Sequence, residues 1–284
     1  MTLMHFKYSG REPVPVVMFF SGGASSIDAL YKNTGHGRDY RIVGAVTNRK
    51  EEKAPKGYKV AREAGVQPVF INPFEFKKPE EFYREILRKV DEIGPAVIGL
   101  SGWLKKFSIV AEPLLGSQYP ILNVHPADLT VMIPEIGLSA LEMEANLVQR
   151  YRMELRALDA VSVSPQECRR AFKGKDAVTT AVLCGEKEVC STIHSVIREL
   201  DSGPIAVQSV RLPVDTGKVE ALLRDNAAGD IVAYAGQLQD EMKAKCDGPA
   251  FCKAMELLGQ GRLEMLDDGV ALDGKKLPYG GYQM

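Results

Sequence analysis

The sequence predicts an α/β protein of Rossmann-like type, a mostly parallel twisted sheet flanked by helices, and two observations carry that prediction. From residue 15 to 124 a short apolar run rich in β-branched residues is followed by a Gly or polar break and then by a charged stretch of helical spacing, again and again. The runs themselves are nearly continuous in apolar character, as parallel strands covered on both faces are.

The strands are expected at 16–20, 42–47, 68–71, 96–100 and 121–124. Helices are expected between them at 26–31, 57–64, 80–92 and 104–114, the third opening just after Pro79, where the missing N–H costs a helix nothing. Residues 15–125 thus form a Rossmann-like half, whose ligands gather at the carboxyl ends of the strands. In the stretch 138–158, Leu138, Leu141, Ala145, Val148, Tyr151, Leu155 and Leu158 recur at helical period, which predicts one long amphipathic helix. Strand-like stretches return at 188–197 and 205–212 and helical ones at 219–244 and 250–258, before a closing strand pair with turn glycines. No repeat or low-complexity linker divides the chain. A single domain over 1–284 is expected, made of the half at 15–125, a helical insertion at 126–170 and a second half with a C-terminal hairpin at 171–284.

Composition narrows the function. The chain has 284 residues, with 36 Lys and Arg against 37 Asp and Glu, so no broad basic field exists to hold a nucleic-acid backbone. Five cysteines without a C-x-x-C pair signal neither a zinc site nor a disulfide framework. Residues 1–14 lack the apolar core of a signal peptide, and no later run approaches the length of a membrane span. A soluble, cytoplasmic protein with reduced thiols and no membrane or nucleic-acid partner is expected.

Three stretches carry chemistry. Ser21-Gly22-Gly23-Ala24-Ser25-Ser26 follows the first strand and opens a helix, a place that favours an anion, although a plain tight turn uses the same residues. Asn123-Val124-His125-Pro126 closes the fifth strand. There Asn123 and His125, two apart, share one face of the ligand-bearing edge, so an amide and an imidazole are placed to stabilise an oxyanion and carry a proton. A histidine that merely caps the strand end is the alternative. Asp201, in Glu199-Leu200-Asp201-Ser202-Gly203-Pro204, reads alone as a turn residue.

Together with Val46-Thr47-Asn48-Arg49, Leu100-Ser101-Gly102-Trp103-Leu104, Ala171-Phe172-Lys173-Gly174, Thr192-Ile193-His194, Gly261-Arg262-Leu263 and the closing Leu277-Pro278-Tyr279, these blocks resemble the folate-dependent phosphoribosylglycinamide (glycinamide ribonucleotide) formyltransferases. N-x-H-P followed downstream by L-D-x-G-P is the most specific part of the likeness. The resemblance implies the formyltransferase fold with an extra helical insertion. It implies 10-formyltetrahydrofolate as co-substrate, small-molecule partners and no metal, and a homodimer is among its expectations. It implies a catalytic trio of Asn123, His125 and Asp201, with Asp201 keeping the His125 imidazolium charged. Gly22, Gly23, Ala24, Ser25 and Ser26 fall where the substrate phosphate is held, and Lys105 and Asp247 fall on the substrate side, Asp247 as the acid that binds the amine. Gly102, Trp103, Leu104, Lys106, Phe107 and Leu200 fall on the folate pocket. The half at 15–125 would then serve the nucleotide substrate and the half at 171–284 the folate.

The sequence also departs from the family. The stretch from Thr130 to Ala171, including the amphipathic helix, is far longer than usual, and Leu129-Thr130 replaces the common Leu-Pro. Asp176 and Val178 stand where histidines are common. Pro79, flanked by Lys77 and Lys78, stands near the place of a phosphate-binding Arg, and a Lys there would bring charge without the bidentate fork. The competing readings are transfer to another amine such as an amino sugar nucleotide, hydrolysis of the formylfolate, and a catalytically silent folate- or nucleotide-binding module. The hydrolases carry a regulatory domain ahead of the first strand, and the methionyl-tRNA formylating branch adds a C-terminal RNA-binding barrel. Both are disfavoured by the short stretches at the two ends of this chain.

Overall fold

The computed structural model describes residues 5–103, 112–134, 168–174, 176–225 and 227–284. The predicted amphipathic helix at 138–158 and the greater part of the predicted helix at 104–114 lie outside the described residues.

An eight-stranded sheet organises the protein. Its parallel part runs β4 (Pro68–Phe70), β3 (Tyr40–Thr47), β2 (Val14–Phe20), β5 (Val97–Ser101) and β6 (Ile121–His125). Beyond β6 the sheet continues with antiparallel β10 (Thr192–Ser195) and β11 (Ile205–Gln208), and β16 (Tyr282–Gln283) closes that edge parallel to β11. The order of the parallel strands reverses at β2, so the carboxyl ends of β2, β5 and β6 open the crevice in which such sheets hold ligands.

The alternation along β2 shows why the strand is apolar throughout. Val14, Val16, Met18 and Phe20 enter one core with α1 (Ser25–Lys32), α2 (Pro55–Glu63) and the C-terminal helix Gly248–Gly259, while Val17 and Phe19 enter another with α3 (Pro79–Ile93). All of these side chains are fully buried, and each contributes about 1.5–3 kcal/mol relative to an exposed one. At the start of α3, Pro79 occupies the first turn and the Glu81 carboxylate accepts from the amides of Lys77 and Lys78. At its end Gly94 takes the left-handed conformation, φ 70°.

The five expected parallel strands and the three described helices among them are present with small changes of boundary. The second half differs more. The expected strands at 188–197 and 205–212 are each split, the first into β9 (Glu188–Val189) and β10, the second into β11 and β12 (Leu212–Pro213), with β9 and β12 pairing apart from the main sheet. A helix at Ala177–Cys184, here α4, has no counterpart in the sequence reading. Its residues, Ala, Val, Thr, Leu and Cys, carry no charge on any side, so no helical stripe betrays it. The single helix expected at 219–244 is two, α5 (Thr216–Arg224) and α6 (Ala228–Met242), separated where the poor helix former Asp225 follows α5. These helices pack a separate apolar cluster around Val182, Ala235 and Met242. The expected closing strand pair is β13 (Leu263–Leu266) with β14 (Gly269–Leu272), extended by β15 (Lys275–Lys276) and by the N-terminal β1 (Phe6–Lys7).

Candidate active site

The site begins where β6 and β10 lie antiparallel. Asn123 stands directly across from His194, and His125 across from Thr192. Side chains two apart on a strand share a face, so Asn123, His125 and His194 converge. The Asn123 amide nitrogen is 3.2 Å from His194 Nε2. The other ring nitrogen of His194 is 2.8 Å from the Ser195 carbonyl, which only accepts, so Nδ1 carries the proton there and Nε2 takes the bond from Asn123. In the same way His125 Nε2, 2.7 Å from the Phe172 carbonyl, is a donor.

Asp201 completes the group from the loop between β10 and β11. One carboxylate oxygen lies 3.5 Å from His125 Nδ1, and the other lies 3.5 Å from His194 Nε2. The Gly174 amide donates to Oδ2 at 2.9 Å. The loop is tightly made: Asp201 takes a left-handed φ of 50°, and a Cβ on Gly203 would fall 1.9 Å from the Ser195 carbonyl oxygen, which leaves room only for glycine. His125 is 4% exposed, His194 2% and Asp201 7%.

The electrostatics follow from this burial. For Asp201 the loss of water alone would raise the carboxyl, but the imidazoles of His194 and His125 and the Gly174 amide around it hold it well below the usual carboxylate range. For His125 the balance is the reverse. Burial pulls the imidazole below its ordinary value by more than Asp201 holds it up. In the ligand-free site burial thus works toward the neutral ring, against the charge that Asp201 is expected to sustain on His125.

The Gly22–Ser26 stretch stands at the same edge of the sheet. α1 opens at Ala24 in a left-handed conformation, φ 54°, without a side-chain cap, and the amide of Ser26 donates to Ser101 Oγ at 3.2 Å, which ties this turn to the end of β5. Lys56 lies beside it, its Cδ 3.6 Å from where a Cβ on Gly23 would be, and the Asn48 Oδ1 atom is buried with no hydrogen-bond partner among the described residues. A helix N-terminus whose N-cap residue supplies no side-chain cap, with a lysine side chain alongside, suits an anion.

Asp247 is buried and accepts from Ser191 Oγ at 2.5 Å, next in sequence to Thr192, which faces His125. Burial pushes its carboxyl up to about 6. Leu200 is 49% exposed beside Asp201, an apolar surface at the rim of the site. Gly102 turns the chain after β5 with φ 65°, and Trp103 packs its ring 5.2 Å from Phe19 in the α3-side core. Leu104, Lys105, Lys106 and Phe107 lie outside the described residues. His194, Lys56 and Asn48 are additions of the structure. The Thr192-Ile193-His194 block carries a family likeness, but only the register of β10 against β6 shows that His194 meets Asn123 and Asp201.

No family model matches the chain. The phosphoribosylglycinamide formyltransferase of Escherichia coli (strain K12) is 22% identical over 272 residues, covering 94% of this chain and 97% of its own. Among solved structures, the phosphoribosylglycinamide formyltransferase of Coxiella burnetii superposes with a TM-score of 0.64 at 20% identity, covering 96% of this chain and 100% of its own. The glycinamide ribonucleotide transformylase 1 of Symbiobacterium toebii gives 0.61 at 21%, covering 93% and 95%. Along nearly its whole length the chain is thus similar in sequence to a phosphoribosylglycinamide formyltransferase, and it has the fold of the solved formyltransferases.

Proposed function

We propose that the protein transfers a formyl group from 10-formyltetrahydrofolate to the amine of a small phosphorylated substrate, glycinamide ribonucleotide being the first candidate. The observation that carries this reading is the convergence of one amide, two imidazoles and one carboxylate in a buried site beside a helix N-terminus without a side-chain cap. Formyl transfer asks for these parts. The amine nitrogen bonds to the formyl carbon, the carbonyl oxygen becomes an oxyanion, and the attacking nitrogen loses a proton. The bond to the folate nitrogen then breaks as that nitrogen gains one.

Asn123 supplies the oxyanion donor. One of its two N–H groups is spent on His194 Nε2, and the second remains for the formyl oxygen. His125 Nδ1, the ring nitrogen whose lone pair no N–H of the described residues occupies, is able to take up the amine proton, directly or through water, and Asp201 beside it stabilises the imidazolium that forms. A neutral resting His125 suits that task, because a ring already charged has no lone pair to offer. Once protonated, its Nδ1–H is a further donor near the developing charge.

On this reading α1 and Lys56 hold the substrate phosphate, and the carboxylate of Asp247 pairs with the substrate amine. The exposed Leu200 and the turn at Gly102 fit the rim of a pocket for the flat folate ring. The two halves at 15–125 and 171–284 then serve nucleotide and folate, respectively, in a cytoplasmic enzyme.

The test is release of tetrahydrofolate from 10-formyltetrahydrofolate by the purified protein, with glycinamide ribonucleotide present, absent, or replaced by amino sugar nucleotides. Release that depends on glycinamide ribonucleotide supports the reading. Release with another amine moves the substrate assignment, release with none makes the protein a hydrolase, and no release with folate still bound overturns the enzyme reading.

A further inference from the structure

The loop that carries Asp201 is gripped from the side away from the histidines. Arg170 ends the short strand β8 (Cys168–Arg170), which pairs with β7 (Met132–Pro134), and is buried, 6% exposed. One terminal nitrogen of its guanidinium donates to the Asp201 carbonyl at 2.7 Å and the other to the Gly203 carbonyl at 2.9 Å. Nε donates to Tyr279 Oη at 2.8 Å, with the guanidinium 5.4 Å from the Tyr279 ring centroid. A planar fork matches two such carbonyls as a lysine cannot.

What it grips is a conformation that an aspartate adopts reluctantly. Asp201 and Gly203 hold the loop on either side of Ser202, the first with positive φ and the second jammed against Ser195. A left-handed Asp persists where surrounding bonds over-determine it. Here the backbone carbonyl faces the guanidinium, while the carboxylate faces His125 Nδ1, His194 Nε2 and the Gly174 amide. Arg170 touches neither imidazole and neither carboxylate oxygen in any bond of the described residues.

We propose that Arg170 is a positioning residue that fixes the Asp201 carboxylate between His125 and His194 by clamping the backbone of its loop. This role rests on the formyl-transfer reading for its kinetic consequence and on the geometry alone for its structural one. Strand β8 thereby serves the catalytic group, although sequence gives Arg170 no motif.

The test uses the full chain with Arg170→Met, Arg170→Lys and Asp201→Asn. Arg170→Met is expected to lower kcat by about 100-fold, the scale on which a 1 Å misplacement acts, with the KM of both substrates within about twofold. Arg170→Lys, keeping the charge and one of the two carbonyl bonds, is expected to recover part of that loss. In the Asp201→Asn background Arg170→Met is expected to cost less than about threefold more, since residues acting as a unit are not additive. Unchanged kcat in folded Arg170→Met, a rise in KM alone, or full multiplication of the two losses overturns the proposal. If Arg170→Met does not fold, Arg170→Lys decides, an unchanged kcat overturning the role. If the wild-type protein transfers no formyl group, the formyl-transfer reading fails separately. The positioning role is then read from the NMR titrations of His125 and His194 in Arg170→Lys: displaced curves support it, and curves superposing on the wild type overturn it.

Discussion

His125 Nδ1 lies 3.5 Å from Asp201 Oδ2, a pair buried together, the imidazole pulled below its ordinary value by desolvation and the carboxyl held down by the imidazoles and the Gly174 amide around it. On the proposed reading the pair sets the acid limb of activity. A His125 that must be neutral to accept a proton loses activity as pH falls through its pKa, which lies below the ordinary 6.5. Asp201→Asn removes the attraction that partly sustains the imidazolium, so the limb of kcat/KM is expected to move to still lower pH. Turnover at pH 7.5 is expected to fall by about 10²–10⁴, the range of a proton-transfer role. A pH–rate profile of both proteins checks this. A limb that moves upward would mean that Asp201 does not stabilise the imidazolium.

Asn123→Ala removes the amide that faces His194 Nε2 and, on the proposed reading, the formyl oxygen. Its kcat is expected to drop about 10²–10³-fold, on the order of 3 kcal/mol, with folate affinity retained. Steady-state kinetics beside equilibrium folate binding separate the two quantities. Parallel loss of both would assign Asn123 to holding the pocket together.

The anion-binding assignment is checked at Lys56. Lys56→Ala is expected to raise KM for a phosphorylated amine about tenfold, in keeping with loss of one charged hydrogen bond, and to leave KM for the folate unchanged. The wild-type KM is expected to rise with ionic strength and that of the variant to rise less. An equal rise of both KM values in Lys56→Ala would place the lysine in α2 packing, next to Gly57, where a Cβ would fall 2.2 Å from the Gly22 carbonyl.

These positions also show how far the residues could be read without coordinates. The parallel strands were legible because their apolar runs are long and bounded by turn residues, and Asn123 and His125 could be placed on one face by strand period alone. Asp201 was legible only through its likeness to a family, since Asp before Ser-Gly-Pro belongs to any turn. His194 and Arg170 were not assigned roles, because each acts across a pairing between segments distant in sequence: β10 on β6 for His194, β8 beside the Asp201 loop for Arg170. Local pattern also misses α4, which has no charged face to mark its period, and it joins α5 to α6 across a break. Burial of His125, which no spacing reports, works against the charge expected on its ring.

Asp247 offers a last prediction, in which stability and activity part. Its carboxyl is pushed up to about 6 by burial, against about 4 in an unfolded chain. An acid raised on folding costs nothing below the unfolded value, where both states are protonated. The cost enters as pH rises from about 4 to 6 and is complete above. At 1.36 kcal/mol for each pH unit the burden at pH 8 is on the order of 3 kcal/mol. Asp247→Asn keeps the shape and the bond to Ser191 and cannot ionise. It is expected to be more stable than the wild type at pH 8, by up to that amount, and no more stable at pH 4. Urea denaturation at the two pH values measures it. If the carboxylate is kept at this cost because it pairs with the substrate amine, the stabilised variant is expected to lose formyl transfer through a raised KM for the amine. A variant equally active and more stable would remove Asp247 from the amine site.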